Sequence, residues 1–139
     1  MIKIKDLEAI VLKLRKKNVK VPPQRLSVID FLPTNPIHPS AEKIYTEIKK
    51  NFPTISLATV YNTLEKLEEI GELIKLKVAK DNIINYEYNL DPHQHFYCKQ
   101  CDQIYDIWGT GIKKKDIVDG HKIENVQIYY KGICNQCTA

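Results

Sequence analysis

The sequence predicts an α+β fold, with helices in the first part and short strands behind them. Three observations carry this reading. Apolar residues recur at steps of three and four as far as Ile70, β-prone runs begin at Leu73, and all four cysteines sit late in the chain as two C-x2-C pairs.

Ile4, Leu7, Ile10, Val11 and Leu14 form one face of an amphipathic helix that ends near Lys16-Lys17-Asn18. Pro22-Pro23 breaks the chain and starts a second helix, with Leu26, Ile29 and Leu32 inward and Pro33 as its stop. Ser40 is suited to cap a third helix over 41–51, which buries Ala41, Ile44, Tyr45 and Ile48. Ser56 caps a fourth over 57–70, striped by Leu57, Val60, Leu64, Leu67 and Ile70 and closed by Gly71. This order suits a helix-turn-helix. Runs over 73–78 and 83–88, joined by Lys80-Asp81-Asn82, add a hairpin and so complete a winged helix. Asn89-Leu90-Asp91-Pro92 then reads as a hinge. Behind it, strands over 93–97, 104–107 and 122–130, with a short helix over 113–118, predict a small α/β dimerisation domain. The expected domains are therefore residues 1–88 and 89–139, with the hinge at about 89–92.

At 139 residues and 43% hydrophobic content, neither part has a large core to itself. Charge is unevenly placed: residues 1–88 carry 15 Lys+Arg against 11 Asp+Glu, and residues 89–139 carry 6 against 6. A basic unit joined to a neutral one fits polyanion binding with a sensing or assembly unit behind it. No apolar run reaches the roughly 18 residues of a membrane span, and the start lacks the apolar core of a secretion signal. The expectation is a cytoplasmic protein that does not engage membranes.

The late stretch from Asp91 to Cys101 holds two kinds of metal ligand. Cys98 and Cys101, with Cys134 and Cys137 beyond a gap of 32 residues, have the spacing of a structural four-thiolate zinc site. His93 and His95 are two apart, so on a strand both imidazoles leave one face. Thiolates favour zinc, whereas imidazole mixed with carboxylate suits iron, manganese or zinc, so two ions with different roles are expected.

Five motifs occur in one order: Pro23-Gln24-Arg25, His38 through Tyr45, Ser56 through Tyr61, His93-x-His95-x2-Cys98-x2-Cys101, and Gly132-Ile133-Cys134-x2-Cys137. Together they resemble the ferric uptake regulator family of metal-dependent repressors over nearly the whole chain. The resemblance implies a recognition helix from Ser56 to Ile70, with Ala58, Thr59, Tyr61 and Asn62 toward the major groove of double-stranded DNA. Tyr61 would pack on thymine methyls. Lys20 would enter a narrow A·T-rich minor groove, and Arg25, Arg15 and Lys16 would hold phosphates. A homodimer on a palindromic A/T-rich operator is the implied assembly.

The resemblance also implies a regulatory site for Fe2+ or Mn2+ made by His38 and Glu87 with His93, His95 and Asp106, next to the structural Zn2+. His121 matches no ligand position. A further site found in many iron-sensing members is expected to be absent, since its positions read Pro92, Gln94, Lys113 and Val126. Asn62 resembles the peroxide-sensing branch, whereas Glu87 departs from that branch's aspartate. Peroxide sensing is the leading expectation, followed by iron-responsive repression of uptake and then zinc or nickel regulation. Outside this class stand a metallohydrolase and a zinc-ribbon interaction module. Five protein ligands leave little room for a small-molecule substrate, and no phosphate loop or nucleophile motif appears, so no enzyme is expected.

Overall fold

The structure, a computed structural model, describes residues 4–34, 38–77, 79–88, 93–109, 116–124 and 126–138. It divides into two compact units, one of Met1–Lys77 with Asp81–Leu90 and one of Val78–Lys80 with Asp91–Ala139. The expected hinge residues, 89–92, lie outside the described residues.

The first unit contains α1 (Ile4–Lys16), α2 (Pro23–Thr34), α3 (Ala41–Lys49), α4 (Leu57–Glu69), β1 (Ile74–Leu76) and β2 (Asn85–Glu87). Local chemistry sets the helix ends. Asn18, at φ 60°, closes α1, with its N–H bonded to Arg15 O and that of Val19 to Leu14 O. Gly71, at φ 78°, closes α4 in the same way, through Glu68 O and Leu67 O. This paired pattern satisfies carbonyls that a helix end otherwise leaves open, and it needs a residue that tolerates positive φ. At the opposite ends, the Ser40 hydroxyl accepts from Lys43 N at 3.2 Å and the Ser56 hydroxyl from Thr59 N at 3.1 Å.

The apolar stripes meet in one core, with Leu14, Val28, Ile44, Val60 and Leu64 fully enclosed. Two details of α2 depart from the expected pattern. Val28 is buried beside Ile29 while Leu26 is only half-buried, and the helix continues past Pro33 to Thr34. A proline ring forbids a donor at its own position but does not force the helix to stop there, so one more residue keeps helical geometry. Strands β1 and β2 form an antiparallel hairpin, Ile74 opposite Glu87 and Leu76 opposite Asn85. Asp81 and Asn82 near its tip take positive φ of 61° and 56°, a conformation that short polar side chains support by local hydrogen bonding. With α3 and α4, this hairpin gives the winged helix-turn-helix.

The second unit contains β3 (Gln94–Cys98), β4 (Ile104–Ile107), β5 (Ile117–Val118), β6 (His121–Lys122), β7 (Tyr129–Gly132) and a short α5 (Asn135–Thr138). β3 is the middle strand of a three-stranded sheet, antiparallel to β4 and parallel to β7. Two expectations are corrected here. Ile117 and Val118 form a strand paired with β6 instead of ending a helix, and residues 113–115 lie outside the described residues. The single strand expected over 122–130 is two strands, β6 and β7, because its residues serve two different sheets. Among the described residues of this unit few apolar side chains are buried, while Trp108, Ile117, Val118, Val126 and Tyr130 are exposed. A sheet this small needs a further staple.

Among the described residues no helix is long and apolar enough to cross a membrane. For the first unit, Leu64→Ala opens a cavity at a site with no exposure. The expected loss of about 2–5 kcal/mol is read from the urea midpoint of unfolding; a change within error would show that α4 does not depend on that core.

Candidate metal centres and nucleic-acid interface

On the first unit, Ala58, Tyr61 and Asn62 are exposed on α4 and Thr59 is half-buried, off the buried face of Val60, Thr63, Leu64 and Leu67. Arg15, Lys16 and Lys20 are exposed as well. Arg15, Asn18, Lys20 and Pro22 help line an open groove where the chain turns from α1 toward α2. The hydroxyls of Ser56 and Thr59 lie 2.9 Å apart, and the Ser56 oxygen also accepts from Thr59 N as the cap of α4.

Two side chains of this face are held by internal bonds. The Tyr61 hydroxyl donates to Glu42 on α3, and that bond pushes its pKa up to about 12. The phenol therefore stays neutral, with its proton committed to the Glu42 carboxylate. Arg25 does not extend freely: its guanidinium donates to Lys20 O at 2.7 Å, Asn62 Oδ1 at 2.6 Å and Thr63 Oγ1 at 3.3 Å. A guanidinium has only donors, so the Asn62 amide must turn its oxygen inward and leave its N–H groups outward. Arg25 thus orients one α4 side chain and ties α4 to the loop before α2.

In the same unit, His38 and Glu87 form a buried pair, Nε2 to Oε1 at 3.4 Å. Backbone pairing explains their meeting. Pro39 favours extended backbone at His38, and β2 runs beside this stretch: Tyr86 N donates to Pro39 O at 2.9 Å, Asn85 Nδ2 donates to His38 O at 2.8 Å, and Ser40 bridges Asn85.

The second unit gathers His93, His95 and Asp106. His95 is directly opposite Asp106 in the β3–β4 register, and His93 precedes β3 by one residue on the same face. Asp106 Oδ1 lies 3.1 Å from His93 Nε2 and 3.4 Å from His95 Nε2, with the imidazole centroids 4.5 Å apart. Both histidine side chains are nearly enclosed, and Asp106 is 28% exposed. Two nitrogens and a carboxylate oxygen so arranged are a partial coordination sphere for a divalent cation. Gln94 points to the other face, buried, with neither amide atom partnered among the described residues.

The four cysteines converge where β3 ends, in the turn before β4, and around the start of α5. Cys98 Sγ is 3.8 Å from Cys137 Sγ, and Cys101 Sγ is 3.8 Å from Cys134 Sγ. A tetrahedron of Zn–S bonds near 2.3 Å has edges of about 3.8 Å, whereas a disulfide requires about 2.05 Å. The cluster fits structural zinc. Against the cost of lost hydration, backbone N–H groups of Cys101, Cys134 and Gln100 hold the Cys98 thiol down to about 6. Hydrogen bonding to Cys134 pushes Cys137 up to about 12. Four thiolates cannot gather without a cation, and a divalent ion offsets that repulsion.

Two aromatic contacts were not singled out in the sequence. Tyr105 donates its hydroxyl to Cys134 Sγ at 3.4 Å, and Trp108 stacks on His93. The two-residue step from Asp106 to Trp108 was the available signal, since it returns the side chain to the same strand face. Cys134→Ser should lower zinc from one ion per chain to a small fraction and unfold the second unit, because metal binding and folding are linked in such sites. Metal analysis with circular dichroism checks this, and full zinc retention would exclude the four-thiolate assignment.

The pattern of the ferric uptake regulator family matches residues 16–131. The chain is 30% identical over 138 residues to the peroxide-responsive repressor PerR of Staphylococcus aureus, covering 95% of this chain and 91% of that protein. Among solved structures, PerR from Streptococcus pyogenes is 31% identical with TM-score 0.56, covering 94% of this chain and 92% of that chain. The Helicobacter pylori ferric uptake regulator, described as having three functional metal binding sites, is 21% identical with TM-score 0.78, covering 100% and 98%, and at that identity speaks for the fold alone. With the winged helix-turn-helix and the four-thiolate cluster in place, these matches establish that the chain belongs to the ferric uptake regulator family, whose members are metal-responsive, dimeric, DNA-binding transcription regulators and not enzymes.

Proposed function

We propose that this protein is a cytoplasmic repressor that binds a palindromic, A·T-rich operator as a homodimer when its His/carboxylate site holds Fe2+ or Mn2+, and that peroxide acting at the iron-loaded site releases the DNA. The observation that carries the reading is the preset pair of donor groups: His38 with Glu87 in the first unit, and His93 and His95 facing Asp106 in the second. One divalent ion drawing on both groups would fix the two units at a single angle. Residues 1–88 then act as the DNA-binding domain, and residues 89–139 as the dimerisation domain, whose exposed apolar side chains are covered by a second copy. Metal and DNA binding strengthen each other by the same factor.

Three imidazoles and two carboxylates suit iron or manganese, while the thiolates keep zinc. Peroxide as the signal is supported by the PerR relatives and by Asn62. Fe2+ held by these side chains would supply activation of peroxide; in net terms one peroxide oxygen would insert into a ring C–H of His38 or His93, the imidazole giving up the two electrons, and the other oxygen would leave as water. Glu87 favours a second reading, iron-responsive repression, because its extra methylene over aspartate alters how the carboxylate reaches an ion.

Anaerobic operator titrations with Fe(II), Mn(II) and Zn(II), with and without peroxide, separate the readings. Peroxide should abolish binding by the iron-loaded protein alone, with about 16 Da added to the His38 or His93 peptide. Retained binding with unmodified peptides selects the iron-responsive reading. In the same gel-shift format, Tyr61→Ala should cost about 1–3 kcal/mol of operator affinity without loss of zinc; equal affinity would remove Tyr61 from the groove.

A further inference from the structure

Trp108 follows β4 directly. Continuing the β3–β4 register one step beyond Gln94 opposite Ile107 sets it against His93. The rings stack, with centroids 4.2 Å apart and planes at 21°. The His93 side chain is 2% exposed, whereas Trp108 is 51% exposed, so the indole stands at the surface against a nearly enclosed imidazole. The stack restricts rotation of the imidazole while its Nε2 lies 3.1 Å from Asp106 Oδ1. A ring that donates its lone pair to a cation becomes electron-poor, and an electron-rich indole face stabilises an electron-poor neighbour.

We propose that Trp108 is a positioning residue of the His/carboxylate metal site, stacking on His93 so that its nitrogen stays aimed at the ion and the metal–imidazole bond is shielded from water. The inference rests on the metal-dependent reading above and adds to it what sets the rate at which the exchangeable ion leaves. It concerns this chain's own side chain, which stands at the surface against the imidazole. Supports of this kind alter metal affinity by roughly 10- to 100-fold in other sites.

Trp108 is the only tryptophan of the chain, so its emission reports on this position alone. The experiment uses full-length, zinc-loaded protein and Co(II) as the probe, followed by cobalt absorption and by tryptophan emission. In the wild type, emission should change along the same curve as absorption. Trp108→Ala should raise the cobalt Kd by about 10- to 100-fold and speed release to a chelator, and Trp108→Leu, which keeps bulk without a π face, should do the same. Trp108→Phe should stay close to the wild type. An unchanged Kd and release rate in Trp108→Leu, or wild-type emission that does not move at cobalt saturation, overturns the proposal even if Trp108→Ala fails to fold. Cobalt binding left intact by His93→Ala with His95→Ala would overturn the metal-site reading itself, so the two failures are distinguishable.

Discussion

The antiparallel pairing of β3 with β4 is the constraint on which the second unit depends. Side chains alternate across a strand, so one register puts His93, His95 and Asp106 on one face and sends Gln94 and Phe96 to the other. A slip of one residue would exchange the faces and separate the carboxylate from both imidazoles. Strands of four and five residues do not hold a register well by themselves. Here Cys98 ends β3, Cys101 sits in the turn to β4, and Gly132-Ile133-Cys134 follows β7 on the other side, so the sulfur cluster pins all three strands at one end. A structural ion held by these thiolates would thus stabilise the register that brings His93, His95 and Asp106 together.

The first unit has a comparable economy. The extended stretch from His38 to Ser40 places one imidazole, caps α3 and pairs with β2, all through neighbouring backbone groups. Because Glu87 ends β2, the hairpin that supplies the wing also supplies the carboxylate.

Much of the architecture was legible because it follows from short-range chemistry. Ser40 and Ser56 cap helices as their spacing implied, Gly71 and Asn18 close them, and two C-x2-C pairs bring four sulfurs together. What was not legible depends on pairing partners distant in sequence. Residues 122–130 read as one β-prone run, and in the fold their two ends pair with different strands, β5 and β3. Likewise, Arg25 reads as a free cation until α4 is folded beside it, and Trp108 reads as one more apolar residue until the register sets it against His93.

The attachment of the half-buried Arg25 bears on what the positive charge of the first unit means for association with a polyanion. Cations that neutralise phosphates displace condensed counterions, and the number displaced sets how steeply binding falls with ionic strength. A guanidinium bonded to Lys20 O, Asn62 and Thr63 meets only neutral acceptors, so it keeps its full positive charge while its direction is fixed. Arg25 therefore adds to the positive field of this surface together with the exposed Arg15, Lys16 and Lys20, and it also orients α4 through bonds to neutral partners, which salt screens far less than it screens interactions between charges.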